Sequence, residues 1–302
     1  MSHALSRSTA TLIGLLAVVL WSLLATLTAA SGDMPPLQFT AVTFAIGGVC
    51  LMIVRPGAIK AMRQPLSVWL VGVLGLAGYH FAYFFALKNA PPVEASLINY
   101  LWPVLIVVMS AMLPGEKLRW NHIAGCVLAL AGTVLVVTRG QGLVLEAQYV
   151  LGYAAALFAA FAWASYSILS RRLARVPSEA IAGFCLVVAV LAWLSHLALE
   201  TTVWPTSPWQ WVAIVGLGLA PVGLAFYVWD IGVKQGDIQI LGAASYLAPL
   251  LSTLLLIVSG YAEFSMSVVI ACGLITLGAV VAAKDMLFRR QAAVEIAPAD
   301  AG

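Results

Sequence analysis

The sequence predicts an all-α integral membrane protein of ten transmembrane helices, built as a 5+5 inverted-topology repeat with both termini cytoplasmic. Three observations predict this class. Of the 302 residues, 63% are hydrophobic and 9% are charged, whereas a soluble domain carries about 25% charged residues. Positive residues concentrate in alternate connections, and the second half of the chain repeats the first. The apolar runs are continuous, which favours helices over the alternating strands of a membrane β-barrel.

The apolar runs define the ten predicted helices, since each approaches the roughly 20 residues that a helix needs to cross a bilayer. Pro36, Pro92 and Pro208 open three of them, as is typical of the first helical position, where the missing N–H has no partner. The first run follows Arg7 without a small-residue cleavage site, so we expect a retained helix. The predicted spans are 10–30, 36–54, 66–88, 92–113, 119–138, 149–171, 178–199, 208–233, 238–259 and 264–285.

The positions of Lys and Arg predict the orientation. With the N-terminus inside, all but Lys88 and Arg139 of the 15 Lys and Arg residues lie on the cytoplasmic side. Cytoplasmic loops carry an excess of these residues. The pattern therefore predicts that both termini and the loop from Arg171 to Arg175 are cytoplasmic, and that residues 141–148 are external.

An internal repeat divides the chain. A shift of 146 residues places Tyr100 on Tyr246 and Pro103 on Pro249. Five helices in each half is an odd number, so the second half must insert upside down, and the positive residues change sides accordingly. We predict repeats at 1–146 and 147–302, the second ending in a short cytoplasmic tail. Inverted repeats are typical of secondary transporters, with the substrate site near the midplane, although an old duplication without transport is the alternative.

Polar and aromatic residues at membrane depth predict a central cavity. A polar group without a partner in lipid costs roughly several kcal/mol, so these residues contact either each other or something polar. Tyr79 and Tyr83 lie one helical turn apart on one face, with His80 at its edge. For each residue alone, helix packing is the alternative; the set together favours a cavity. The predicted substrate-binding residues are Trp21, Tyr79, His80, Tyr83, Asn99, Tyr100, Trp102, Trp163 and Tyr246.

Two prolines lie well inside predicted helices. Pro103 and Pro249 each remove a backbone hydrogen bond, which leaves the carbonyls of Asn99 and Ser245 without their usual donors. Broken helices at membrane depth are tolerated where they contact protein or a wet cavity. For either proline alone, the alternative is that other nearby groups satisfy the backbone hydrogen bonds it removes. The matched positions of the two prolines in both halves favour two functional helix breaks.

The sequence lacks the motifs that are typical of several other classes of protein. No GxxxxGK[ST] segment offers a phosphate-binding loop, no serine–histidine or metal motif indicates a protease, and the four cysteines show no metal-ligand spacing. Glu94 suits a helix N-terminus and Asp230 can pair with Lys234. We therefore expect no enzymatic activity, no cofactor and no metal. The expected partners are a small molecule and the lipid bilayer, with no nucleic acid and no obligatory protein.

Three stretches carry a family resemblance. TLIGLLAVVLWS in the first helix, NYLWP in the fourth and PGEKLRWNHIAGCVLALAGTVLVV around the fifth resemble the EamA branch of the drug/metabolite transporter superfamily. The resemblance covers nearly the whole chain and implies a ten-helix exporter of aromatic amino acids in the bacterial inner membrane. It carries over Trp21, Asn99, Tyr100, Trp102 and Pro103 as site residues. The second half departs from the motif with SYLAP, which predicts an asymmetric site.

The expected function is the facilitated export of Phe, Tyr, Trp and related amphipathic metabolites, by an alternating-access mechanism. Aromatic walls would hold the ring, while hydroxyl groups, the Asn99 amide and freed carbonyls would hold the ammonium and carboxylate. A zwitterion needs neutral polar partners, which fits the shortage of deep ionised groups. The alternatives are an exporter of another metabolite or xenobiotic, with or without proton coupling, and a membrane-embedded sensor.

Overall fold

The computed structural model describes residues 5–141, 145–260 and 263–284, and every regular element in these ranges is helical. Nine helical segments within them have the length and apolarity of a membrane span, and they correspond to the first nine predicted spans. In place of the tenth there is a shorter apolar helix of 17 residues, Met266–Ala282. The all-α, multispan class is thus confirmed. The predicted C-terminal tail and part of the predicted external loop at 141–148 lie outside the described residues.

The first half of the chain, over the residues described, contains eight α-helices, two of them shorter than two turns. A 3₁₀ turn at Ser110–Met112 follows the seventh. The helices are α1 Arg7–Ser22, α2 Leu24–Ala30, α3 Pro36–Val54, α4 Ala58–Ala61, α5 Leu66–Asn89, α6 Pro92–Asn99, α7 Trp102–Met109 and α8 Trp120–Val137.

The described residues of the second half contain seven α-helices. A 3₁₀ turn at Ala147–Tyr149 leads into the first of them, and a π-helical segment at Gly218–Leu224 joins α11 to α12. The helices are α9 Val150–Arg172, α10 Ala180–Leu199, α11 Pro208–Leu217, α12 Ala225–Gln235, α13 Ile238–Ala244, α14 Leu247–Val258 and α15 Met266–Ala282.

Local sequence explains where several helices begin. The Ser207 hydroxyl accepts from the backbone N–H of Gln210 at 3.3 Å, and the Gln210 side chain accepts from the backbone N–H of Ser207 at 3.2 Å. This reciprocal capping box satisfies two N–H groups that the first turn of α11 leaves without partners. Pro208 then occupies the first position of α11, as Pro36 and Pro92 do in α3 and α6.

Glycines bring the two halves of the chain into backbone contact. A Cβ atom on Gly14 in α1 would lie 2.8 Å from the Cα of Gly232 in α12, and one on Gly125 in α8 would lie 2.5 Å from the carbonyl oxygen of Gly278 in α15. Small residues allow this close approach, which membrane helices use because lipid gives no hydrophobic drive to associate. An alanine at any of these positions would force the helices apart.

Four spanning segments are interrupted at membrane depth. The first breaks at Leu23, the fourth at Tyr100 and Leu101, and the ninth at Ser245 and Tyr246. The eighth contains the π-helical segment with Pro221 inside it. Proline and π-bulges are recognised causes of helix distortion. The carbonyl of Ser245, which the sequence predicted to lack its donor, accepts from the backbone N–H of Ala248 at 3.1 Å, so the break beside Pro249 is repaired locally.

Candidate functional site

A cavity of about 530 Å³ lies among the interrupted helices. Its wall is mainly aromatic and aliphatic, and none of the described residues that line it is Asp, Glu, Lys or Arg. Such a cavity can hold an apolar ring but offers no fixed charge to a ligand. Eight of the nine predicted site residues line it, namely Trp21, Tyr79, His80, Tyr83, Asn99, Tyr100, Trp102 and Trp163.

Tryptophans from three helices form the base of the aromatic wall. The Trp21 ring centroid lies 5.6 Å from that of Trp163 and 6.1 Å from that of Trp102, both edge to face. The ring of Tyr79 lies 5.3 Å from Trp163. The indole N–H of Trp21 donates to the carbonyl of Pro221 at 3.1 Å. The π-helical segment therefore fixes the orientation of a cavity tryptophan through a backbone atom.

Hydrogen bonds join the polar residues along one side of the cavity. The Asn99 amide nitrogen donates to the Tyr79 hydroxyl at 3.2 Å, and the hydroxyl groups of Tyr83 and Ser96 lie 3.0 Å apart. The Nδ1 of His80 contacts the carbonyl of Leu76 at 2.8 Å. Because a carbonyl only accepts, Nδ1 must carry a proton. In the neutral ring, Nε2 is therefore left as an acceptor.

Tyr246 lies outside the cavity lining. Its side chain is fully buried, and its hydroxyl donates to the carbonyl of Tyr100 at 3.0 Å. The neighbouring Ser245 is also fully buried and donates its hydroxyl to the carbonyl of Leu241 at 2.7 Å. Of the motif SYLAP at 245–249, only Ala248 lines the cavity, and Ser252 lines it one turn later in α14. The site is asymmetric, as the replacement of a tryptophan by Ala248 indicated.

Four phenylalanines, Phe39, Phe44, Phe84 and Phe226, also line the cavity, and sequence reasoning selected none of them. The Phe44 ring lies 4.9 Å from the His80 ring, and the Phe226 ring lies 5.7 Å from that of Trp163. Neither side chain has a polar group to distinguish it from the many lipid-facing phenylalanines. The 146-residue repeat offered the one usable signal for Phe226, because it aligns that residue with His80.

The cavity is closed toward the end of the molecule where α1 begins, here called the Arg7 end. Arg7 contacts Glu116 at 2.9 Å and Asp237 at 3.0 Å, and Arg171 also pairs with Glu116. Arg171 further donates to the carbonyl of Gly236 at 2.8 Å. None of these described residues lines the cavity. We call Arg7, Glu116, Arg171 and Asp237 the Arg7 cluster. It links α1 and α9 to the connection before α8 and to the connection before α13.

The cavity reaches the opposite end, the Ser31 end, through the connection between α2 and α3. Ser31, Gly32, Met34 and Pro36 all line it there, and Gly32 is exposed. The cavity is therefore accessible from the Ser31 end and closed at the Arg7 end.

A carboxylate fixes the start of α3 beside this opening. Glu200 accepts from the backbone N–H groups of Leu37 and Gln38 at 3.1 Å and 3.2 Å. Burial raises the pKa of Glu200, but hydrogen bonds from His196, Leu37 and Gln38 and the charge of Lys88 outweigh it, so the pKa lies below its usual value. The stabilisation is therefore present at neutral pH and is lost as pH falls through that lowered pKa.

A family model described as the EamA-like transporter family matches residues 8–138 and again residues 150–283. The chain belongs to the EamA-like transporter family. It is 52% identical over 290 residues to the aromatic amino acid exporter YddG of Ancylobacter novellus, covering 95% of this chain and 100% of the relative. It is 27% identical to the exporter of the same name in Escherichia coli, covering 87% of this chain and 92% of that one.

The fold of this EamA-like transporter also matches a solved structure. A crystal structure of a protein with 52% sequence identity superposes with a TM-score of 0.87, covering 92% of this chain and 98% of the other. The family is one of multispan membrane transporters, which agrees with the apolar helical segments and with a cavity that holds no charged residue among those described.

Proposed function

We propose that this chain exports aromatic amino acids and related small amphipathic metabolites across the bacterial inner membrane. The observation that carries the proposal is the cavity among the broken helices, which has aromatic walls, neutral polar groups and no ionised residue among those described. The names of the relatives at 52% and 27% identity support the substrate class.

The chemistry of the wall fits a zwitterion with an aromatic side chain. Trp102 and Trp163 offer ring faces and edges for stacking, which contributes beyond the burial of area. Asn99, Tyr79 and His80 offer hydrogen bonds to the ammonium and carboxylate. A fixed charge would favour one of those two groups and repel the other, so a neutral wall suits a ligand with no net charge. These are binding groups, and we infer that the chain is a carrier and not an enzyme.

The proposed architecture is a ten-helix inverted repeat of 1–146 and 147–302 with both termini cytoplasmic. The two family matches, 8–138 and 150–283, support the division. Helix packing supports a two-fold relation between the halves, because the extensive contact of α1 with α12 has its counterpart in that of α9 with α5. In two further contacts, α3 with α10 and α8 with α15, a helix of one half packs against the corresponding helix of the other half.

The proposed transport mechanism is alternating access. With the N-terminus cytoplasmic, the Arg7 cluster closes the cytoplasmic side and the Ser31 end opens outward, so this conformation is the one that releases substrate. The inward-open conformation requires the Arg7 cluster to separate. Transport runs down the substrate gradient in this proposal, since none of the described residues that line the cavity is a carboxylate that could couple transport to protons.

Proteoliposomes carrying the purified chain test the function and the coupling. We expect saturable counterflow of labelled Phe, competed by Tyr and Trp, with empty liposomes as the control. An imposed pH gradient should not concentrate the label. Absence of Phe exchange would contradict the substrate proposal, while concentrative uptake that follows the pH gradient would replace facilitation by proton coupling.

The orientation is tested by labelling single cysteines. In a background without Cys50, Cys126, Cys185 and Cys272, we expect an impermeant maleimide added to whole cells to label Gln141→Cys. Ala174→Cys should label only after permeabilisation, because it lies in the Arg-rich loop. The opposite pattern at the two positions would invert the topology.

A further inference from the structure

Asn99 lines the cavity and holds a side-chain acceptor that no described residue uses. Asn99 is 4% exposed and is the last residue of α6, immediately before the helix break. Of the buried side-chain polar atoms without a hydrogen-bond partner in the described residues, only its Oδ1 belongs to a residue that lines the cavity. A buried acceptor without a donor is destabilising. The arrangement therefore favours a ligand that brings N–H groups.

The partner of Asn99 presents the complementary group. The Tyr79 hydroxyl accepts from the Asn99 amide nitrogen at 3.2 Å and makes no other hydrogen bond among the described residues. Its own proton is therefore available to a ligand. One side of the cavity thus offers an acceptor and a donor next to each other, joined by a single hydrogen bond. The ammonium and carboxylate of an α-amino acid are similarly close, because both are attached to one carbon.

The second acceptor on this side is the His80 imidazole. Its Nδ1 proton is held by the Leu76 carbonyl, so the neutral ring exposes a lone pair at Nε2. An ammonium has three protons to donate and no acceptor, whereas a carboxylate only accepts. An ammonium can therefore donate to either of these two acceptors, whereas a carboxylate cannot accept from them.

We propose that Asn99 and Tyr79 form a recognition pair for the α-amino-acid group, in which Asn99 Oδ1 accepts from the ammonium and the Tyr79 hydroxyl donates to the carboxylate. The inference rests on the proposed function and deepens it. It assigns opposite halves of the zwitterion to two residues, so the pair selects α-amino acids over aromatic amines and aromatic acids of the same size.

Three ligands of matched size separate the two contacts. Phe carries both groups, phenethylamine lacks the carboxylate, and 3-phenylpropionate lacks the ammonium. Their dissociation constants are measured by calorimetry on the purified full chain. In Asn99→Leu, which keeps the side-chain shape, we expect Phe and phenethylamine to weaken about tenfold and 3-phenylpropionate to be unchanged. In Tyr79→Phe, Phe and 3-phenylpropionate should weaken about tenfold while phenethylamine is unchanged.

Matched controls make the same chemical changes away from the cavity. Asn89→Leu alters an exposed asparagine that donates to the carbonyl of Phe85, and Tyr153→Phe removes a hydroxyl near the loop at Glu146. Neither residue lines the cavity, and we expect all three affinities to match those of the wild type. If Asn99→Leu does not purify as a monodisperse protein, Asn99→Asp takes its place. An added negative charge should raise the affinity for phenethylamine about tenfold relative to Phe.

The outcomes are distinct. An equal loss of affinity for all three ligands in both variants would show that Asn99 and Tyr79 have a structural role. The reverse pattern, with Asn99→Leu weakening only the carboxylate-bearing ligands, would show that the amide nitrogen contacts the ligand. Either result overturns the recognition pair while leaving aromatic amino-acid export intact. A wild-type chain that binds none of the three ligands overturns the proposed function and this inference together.

Discussion

The two helix breaks share a sequence pattern but make different contributions to the cavity. In NYLWP, at 99–103, the asparagine, tyrosine and tryptophan side chains line the cavity, whereas in SYLAP, at 245–249, only Ala248 does. The hydroxyl of Tyr246 instead supports the first break by donating to the Tyr100 carbonyl at 3.0 Å. One break supplies side chains of the proposed ligand site, and its counterpart leaves free space and supports the first break through a hydrogen bond. A duplicated element has thus become two parts with separate roles.

The most severe change fills the free space. Ala248→Trp restores the residue found at the corresponding place in the first break, and an indole there would occupy part of the 530 Å³ cavity. We expect Phe binding and counterflow to fall to background while the protein still purifies as a monodisperse species. Val258→Trp is the control, since it adds the same side chain to α14 at a position 85% exposed. Normal transport by Ala248→Trp would show that substrate does not use this cavity.

Removing the tryptophan of the first break should have the next largest effect. Trp102→Ala loses the edge-to-face contact with Trp21 and one wall for the substrate ring. We expect a loss of roughly 1–3 kcal/mol in binding, or about ten- to a hundredfold in affinity. The double variant Trp102→Ala with Ala248→Trp should not recover, because the indole returns on α14 and not on α7. Recovery in the double variant would mean that only the total volume matters.

The hydrogen bond from Tyr246 should affect stability more than binding. Tyr246→Phe removes the hydroxyl and leaves the Tyr100 carbonyl without that donor, at a cost of about 1–3 kcal/mol in unfolding free energy. A lower melting temperature in detergent, with transport per folded molecule close to the wild type, is the expected result. Tyr153→Phe provides the reference for losing a tyrosine hydroxyl elsewhere. A selective loss of Phe affinity without any loss of stability would instead place Tyr246 in contact with substrate.

The smallest effect belongs to the serine that corresponds to Asn99. The Ser245 hydroxyl donates to the Leu241 carbonyl, which also accepts the Ser245 backbone N–H at 3.1 Å. Ser245→Ala therefore leaves that carbonyl paired, and we expect stability to change by only about 0.5 kcal/mol, because such back-bonding adds little to a helix. Phe affinity should stay at the wild-type value, in contrast to Asn99→Leu. A tenfold loss in Ser245→Ala would remove the distinction between the breaks.

Sequence patterns predicted the helices well because lipid allows few alternatives. A span must satisfy its backbone internally, so continuous apolar runs defined nine segments that the structure contains, and the internal prolines stand next to both breaks of the repeat. The interruption at Leu23 had no such marker, since neither proline nor glycine adjoins it. Pro221 was available as a marker, but a π-helical segment depends on its neighbours and has no local sequence rule.

The site was predicted less completely, for a different physical reason. Polar groups at membrane depth need partners, which identified Tyr79, His80 and Asn99 as residues of interest. Phe44 and Phe226 have no such need, so only packing shows where they lie. Tyr246 has the same need as Tyr100, but burial depth alone does not say whether the partner is a ligand or a backbone carbonyl. That choice depends on how the two halves dock, which the repeat does not specify.

The Arg7 cluster has a consequence for the speed of transport. In the proposed alternating-access cycle, opening the Arg7 end must separate Glu116, whose side chain is 6% exposed, from two arginines, of which Arg7 is 51% exposed and Arg171 is 18% exposed. Ions in solution screen exposed pairs far more than buried ones. Raising the ionic strength should therefore loosen the Arg7 contact while leaving the Arg171 contact nearly intact. The population of the inward-open conformation and the turnover number should therefore rise only modestly with salt, since the buried Arg171–Glu116 contact still opposes opening.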